Sequence, residues 1–278
     1  MAINSFIPTL WGEALNRQLD KKYVAVANCN RDWEGDIKKV GDTVRIANLA
    51  PITVMSYTKN SDMSLPSDLN ATYIDLKISQ AKAFNFQIDD IDRVQTAPRF
   101  MEAALKSAAS ALANEADRYV FALHSSIAAS NKITVDAPTE ETLINAIFDG
   151  LLKLQSFGVT DDIVLEVSPA VASIILRAKM NNSTNNQESF EKGCIGYIAG
   201  CKVFVSNNIF IETSTDYAYH KCFMRTKRAI TFAEQISEVI AYRPERRFSD
   251  AVKGLMLYGA QIVCPNELML LNFGMPKS

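Results

Sequence analysis

The sequence predicts an α+β fold on three observations. Period-two alternation fills two stretches before residue 90, a helical period runs without proline or glycine from residue 99 to Ser130, and strands alternate with helices only in the middle of the chain. Residues 2–22 read as an extended or partly helical arm, whose Phe6, Ile7, Leu10, Trp11 and Leu15 have no nearby sequence to complete a core. From Gly41 the pattern is strand: Asp42 to Ile46 alternates, and Thr53 to Tyr57 continues it. Thr58 to Asn70 is polar and reads as a loop, after which alternation resumes at Thr72 to Ile78 and reaches Phe84 to Ile88. Two long strands with a polar tip make a projecting hairpin with little to bury inside one subunit. An uncovered hairpin is an aggregation liability, so a partner is implied.

The helical stretch is expected over Ala97–Ser130, with Thr96 or Ala97 capping, Pro98 tolerated in the first turn and Asn131 as the stop. Its apolar stripe is read through Met101, Leu105, Ala108, Leu112, Ala116, Tyr119, Leu123 and Ile127. At about 1.5 Å per residue it would span on the order of 50 Å. A second helix is expected from a Thr139 cap to Phe157, with Leu143, Ile144, Ile147, Leu151 and Leu154 as its stripe. Asp162 to Val167 reads as a buried strand, and Ser168-Pro169 starts a helix through Met180. Asn181 to Glu191 is a polar loop expected to be mobile, Gly193, Gly196 and Gly200 punctuate the approach to the strand Lys202 to Ser206, and strands dominate Lys221 to Val263.

Composition narrows the function. The 278 residues carry 29 Lys+Arg and 31 Asp+Glu, a net charge of −2, and 48% are hydrophobic, enough for one large or two smaller folding units. A chain that grips nucleic acid through phosphates normally has a basic surplus, so tight direct DNA binding is disfavoured. The amino terminus lacks the blocks of a secretory signal, and Gln261, Pro265, Asn266 and Glu267 interrupt the apolar region Gly254 to Met275, so the chain reads as soluble, cytoplasmic and without a membrane span. The five cysteines, at 29, 194, 201, 222 and 264, form no C-x-x-C pair and read as reduced core thiols.

No catalytic or cofactor site emerges. Cys194, Cys201, His220 and Cys222 could supply zinc ligands, but their spacing is irregular and buried thiols are the better reading. His124 and His220 are the two histidines, and His124 on the long helix reads as solvated or satisfied. Asp89, Asp90 and Asp92 precede that helix, where carboxylates favour its dipole, and Asp161 and Asp162 precede a strand. Gly193, Gly196 and Gly200 depart from the dinucleotide-binding order. Arg243, Arg246 and Arg247, interleaved with Glu245 and Asp250, read as an ion-pair surface rather than a phosphate clamp. No catalytic residue, cofactor or metal is therefore expected.

The series arm, hairpin, long helix, compact α/β unit and returning strands resembles the major capsid protein of tailed bacteriophages, the Hong Kong 97 fold. Asn30-Arg-Asp-Trp-Glu-Gly-Asp-Ile-Lys-Lys-Val-Gly-Asp-Thr-Val-Arg-Ile is similar to the lead-in to that family's extended loop. Phe84-Asn-Phe-Gln-Ile-Asp-Asp-Ile-Asp-Arg-Val-Gln is similar to the passage before its spine helix. Gly200-Cys-Lys-Val-Phe-Val-Ser-Asn-Asn-Ile and Phe248-Ser-Asp-Ala-Val-Lys-Gly-Leu-Met-Leu-Tyr-Gly resemble an axial-domain strand and late peripheral strands. No single motif is diagnostic; the order of four segments carries the resemblance.

The resemblance implies an N-terminal arm at 1–38, an extended loop at 39–90, a peripheral domain with spine helix at 91–131, an axial domain at 132–225, peripheral strands at 226–257 and a return to the axial domain at 258–278. It implies pentamers and hexamers closing into an icosahedral shell around phage double-stranded DNA, without sequence-specific binding, in a virion assembled in the host cytoplasm. Inter-subunit contacts are expected at Trp11, Tyr57, Lys59, Asp62, Leu65, Asp68, Arg243, Glu245, Arg246, Arg247 and Asp250. The chain starts directly with the arm, which implies a separate scaffold or none; portal and decoration proteins are further expected partners. No covalent cross-link is read at Lys59, since a lysine in a polar loop is usually solvated. An encapsulin-like compartment shares the implied fold and is the alternative; a soluble enzyme with an unrecognised site is the second.

Overall fold

Alternation in Thr43–Leu49 (β1) and Ala71–Lys77 (β2) produces the base of the expected hairpin, paired antiparallel from Thr43↔Lys77 to Leu49↔Ala71. These elements belong to a computed structural model that describes residues 15, 18–19, 22–33, 43–49, 56, 59–60, 62, 71–89, 99–160, 162–181, 194–245 and 249–277. One face of the base carries exposed Arg45 and Asp75, 3.5 Å apart. The other face buries Val44, Ile46 and Leu76, which pack with Ile78, Ala233, Leu257 and Val263 in a small core of their own. The hairpin base is thus anchored in its own subunit, contrary to the expectation that it buries little there. The tip expected over Thr58–Asn70 lies almost wholly outside the described residues, as does the loop expected after Asn181.

Gln80–Asp89 (β3), read from sequence as part of the hairpin, instead joins a separate antiparallel sheet with Ser249–Ile262 (β11) and Ile230–Tyr242 (β10), in the order β10-β11-β3. Gly259 of β11 is where the hairpin base crosses this sheet: a Cβ there would lie 2.3 Å from the Lys77 carbonyl oxygen, so only glycine permits the approach.

The long helix, Arg99–Ala122 (α1), has 24 residues, about 36 Å at the usual rise. It ends short of the expected Ser130. Leu123–Ser126 tightens into a 3-10 turn, in which Ser125 Oγ donates to the Ala122 carbonyl at 3.3 Å and His124 Nδ1 lies 3.0 Å from the Phe121 carbonyl. Side chains tied to the last carbonyls satisfy groups that a continuing helix would have bonded itself. The buried line runs through Ala109, Leu112, Ala113, Ala116, Val120 and Phe121, while Leu105, Ala108, Tyr119 and Leu123 are half-buried. The face is therefore rotated from the expected stripe, with alanines carrying the closest approach.

Glu140–Ser156 (α2) starts at a capping box: Thr142 N–H donates to Thr139 Oγ1 at 3.3 Å and Thr139 N–H to Thr142 Oγ1 at 2.8 Å. Pro169–Asn181 (α3) follows Ser168, whose Oγ accepts from Val171 N–H at 3.4 Å. Both helices accompany a seven-stranded mixed sheet of Lys132–Asp136 (β4), Val164–Val167 (β5), Cys194–Ile198 (β6), Cys201–Val205 (β7), Ile211–Thr213 (β8), Tyr217–Arg225 (β9) and Leu268–Pro276 (β12). The order is β4-β12-β9-β5-β7-β6, with β8 beside β9; β12–β4 and β5–β7 are parallel. Gly200, at φ +84, makes the expected turn between β6 and β7.

Candidate assembly surfaces and the strap that supports them

The segment Tyr23–Asn30 is short, mostly apolar and without a core of its own, yet Tyr23, Ala25, Val26 and Cys29 are buried. Its backbone explains why. Val26–Asn28 forms one 3-10 turn, whose leading N–H groups have no partner within the turn. Asp117, on the buried face of α1, accepts all three leading donors, from Val24, Ala25 and Val26, at 3.0 Å each. A carboxylate from a distant helix thus caps the strap.

The strap's carbonyls are held from the opposite side. Arg225 of β9 forks onto Glu166 of β5, with Nε to Oε2 at 3.0 Å and Nη2 to Oε1 at 2.8 Å, and both side chains are wholly buried. The same guanidinium donates to the Asn28 carbonyl at 2.6 Å and the Ala25 carbonyl at 2.9 Å, while Asn28 Nδ2 donates to Glu166 at 3.1 Å. Beyond it, Asn30 pairs with β10, donating to the Ile230 carbonyl and accepting from Phe232 N–H, both at 2.9 Å. Arg31 meets Glu234 at 2.7 Å, and Tyr23 donates to the same carboxylate. One short strap therefore ties the long helix to both sheets. Leu15 and Leu19 join the main core too, so part of the expected arm docks on its own subunit.

Burial pushes the Asp117 carboxyl up to about 6, against 3.8 for a free one, even though the three N–H donors favour the anion. Between those values the folded chain holds a proton that the unfolded chain has released. The stabilisation from this group is full below about 3.8 and is lost as pH rises through about 6, an effect of about 3 kcal/mol. The thermal midpoint of Asp117→Asn should therefore change less steeply than that of the parent chain between pH 4 and 6.5; parallel curves would remove the carboxyl from the titration.

Of the residues expected at inter-subunit contacts, Lys59 and Asp62 are exposed, with Asn60 between them at φ +61. Arg243, exposed, and Asp250, half-buried, come together across the β10–β11 connection at 3.4 Å, a pair of modest energy, and Glu245 nearby is exposed. Trp11, Tyr57, Leu65, Asp68, Arg246 and Arg247 lie outside the described residues. Sequence reasoning missed the strap. Its available signal was Glu166 inside a strand read as buried, since a buried charge requires a partner.

His124 stacks on Phe210 with ring centres 4.4 Å apart, and His220 is buried in β9; burial pushes both imidazoles down. Burial also pushes the thiols of Cys29 and Cys201 up to about 11 and that of Cys222 to about 12, which leaves them protonated and inert. Among the described residues no three His, Cys, Asp or Glu side chains cluster as metal ligands, and no helix is long and apolar enough to cross a membrane.

Large apolar side chains contribute to the surface, notably Leu152, Tyr73 and Phe148. No protein-family model matches the sequence, and no curated protein matches it. Solved structures do. A structure from Mycobacterium phage Che8 is 26% identical, with 90% of each chain covered and a TM-score of 0.68. The capsid of cyanophage P-SCSP1u is 13% identical, with 84% of each chain covered and a TM-score of 0.64. The holo-SrpI encapsulin complex of Synechococcus elongatus is 11% identical over 83% of this chain and 81% of that one, at a TM-score of 0.57. A match over nine-tenths of both chains at this TM-score makes this an α+β Hong Kong 97-like fold of the tailed-phage capsid kind.

Proposed function

We infer that the chain is the major capsid protein of a tailed bacteriophage, which self-assembles into an icosahedral shell around the phage double-stranded DNA. The carrying observation is the match to phage structures over about 90% of the chain. The role is structural rather than catalytic. In this reading β3, β10 and β11 with α1 form the peripheral domain, and the seven-stranded sheet with α2 and α3 forms the axial domain. The strap holds the two domains in one orientation, and the tip beyond β1 and β2 reaches a neighbouring subunit. Pentamers and hexamers are the capsomers. A portal protein is a further partner, and the DNA enters without sequence-specific contacts, consistent with a net charge of −2.

An encapsulin shell is the second reading, since an encapsulin is among the similar structures, with a lower TM-score and lower identity than the Che8 structure. Electron microscopy and sedimentation of the purified protein, alone and co-expressed with its neighbouring genes, test the assignment. Capsomers or shells are expected. Nuclease-resistant DNA inside shells made in the infected host supports the phage reading, and a protein cargo supports the encapsulin. A strict monomer under every condition overturns both.

A further inference from the structure

The strap closes over more negative charge than positive. Asp117 is 1% exposed, and its three partners, the N–H groups of Val24, Ala25 and Val26, are neutral. Among the described residues one wholly buried cation meets the strap, Arg225, and its guanidinium is forked onto Glu166 and donates further to the Ala25 and Asn28 carbonyls. With both acids ionised, the closed strap therefore seals two carboxylates in with one guanidinium. Desolvation penalises a carboxylate far more than a neutral carboxyl, and backbone N–H groups offset only part of that penalty.

The other charged and titratable groups around Asp117 do not relieve it. Glu166 of β5 adds a like charge. The Tyr23 hydroxyl and the Cys29 thiol, both on the strap, are acids that burial also keeps protonated, the thiol being pushed up to about 11. Arg31 lies 5.7 Å from the Tyr23 ring centre and pairs at 2.7 Å with Glu234 of β10. On α1 itself, Glu115 and Arg118 are engaged at the surface with Lys82 of β3 and with each other. The carboxyl of Asp117, the thiol and the phenol thus all hold their protons more firmly in the closed strap than in water. Within itself the strap has only the backbone bonds of one turn, Asn28 N–H to the Ala25 carbonyl at 3.1 Å and Cys29 N–H to the Val26 carbonyl at 3.0 Å. One such turn does not persist unaided, so its closure depends on what α1 and the two sheets supply.

We propose that the strap is a proton-linked clasp, closed most firmly when Asp117 is neutral and opened more readily when it is ionised, so that acid locks the long helix to the seven-stranded sheet and neutral pH loosens it. Opening admits water to the carboxylate, whereas closing must either strip that water from an anion or take up a proton. The carboxyl titrates at about 6 when covered and at 3.8 when free, so opening increases with pH between these values and levels off above about 6. The device lies within one subunit and goes beyond shell building: it sets how rigidly the two sheets are joined at a given pH.

Hydrogen exchange of the full-length chain tests this at the Val24, Ala25 and Val26 amides, each rate divided by its intrinsic value at the same pH. Opening should be at least tenfold more frequent at pH 7 than at pH 4.5. At both pH values these amides should exchange faster than those in the middle of α2, 147–151, because the strap opens without global unfolding. Asp117→Asn, which cannot ionise, should reduce the pH effect to less than about threefold. In the parent chain, the NMR resonance of the Asp117 carboxyl carbon should titrate with the midpoint of the exchange curve. Exchange independent of pH, an unaltered pH effect in Asp117→Asn, strap amides no faster than those of α2, or midpoints more than about one pH unit apart each overturn the proposal. Should Asp117→Asn fail to fold, the two midpoints in the parent chain decide. Every one of these outcomes leaves the capsid reading where it stands, since assembly alone judges that.

Discussion

Arg225→Met should destabilise the folded chain by about 3–5 kcal/mol in urea unfolding, because it leaves the wholly buried Glu166 carboxylate without its counter-charge. The same substitution strips donors from the carbonyls of Ala25 and Asn28, each a further cost of about 1–3 kcal/mol where water cannot enter. Glu166→Leu should be costly for the reciprocal reason. The double variant, Glu166→Leu with Arg225→Met, should recover much of the loss, since two apolar side chains of similar volume need no partners. The coupling is the informative quantity. Single variants within about 1 kcal/mol of the parent, or strictly additive losses, would mean that the pair does not hold the strap.

Replacing residues 50–70 by Asn-Gly should leave the chain folded and abolish normal shell formation. Leu49 and Ala71 are the last paired residues of β1 and β2, so a two-residue turn can close the ladder without changing its register. The buried face of the hairpin base, with Val44, Ile46 and Leu76, is untouched, and the thermal midpoint should stay within a few degrees. If the removed tip is the reach to the neighbour, light scattering should find capsomers or unassembled protein where the parent makes particles. Normal particles from the truncated chain would confine the hairpin to a role inside one subunit.

Local chemistry was legible in the sequence. Thr139 with Thr142, and Ser168 with Pro169, announced two helix starts because a cap is decided within four residues. Alternation announced the hairpin base and β3 but could not say which strand each would pair with, and β3 joined β11, far away in sequence. The helical period overran the end of α1 because Leu123 and Ile127 keep the spacing while the backbone between them tightens to a 3-10 turn. The ion-pair surface expected around Arg243 and Asp250 was legible to the extent that these two pair, since they bracket one connection between strands. The strap was not. Asp117 meets it from 91 to 93 residues away and Arg225 from 197 and 200, and no periodicity within a short window encodes such a meeting.

Those separations impose a schedule on biosynthesis. A ribosome adds about 5–20 residues each second, so the carbonyls of Ala25 and Asn28 emerge on the order of 10–40 s before Arg225 exists to receive them. Glu166 precedes its counter-ion by 59 residues, and β3 must wait until β11 has been made. The orientation of the long helix on the two sheets is consequently among the last features of a nascent chain to be secured. A truncated product cut off before residue 225 lacks the clasp altogether and cannot present the geometry of a finished subunit to a growing particle.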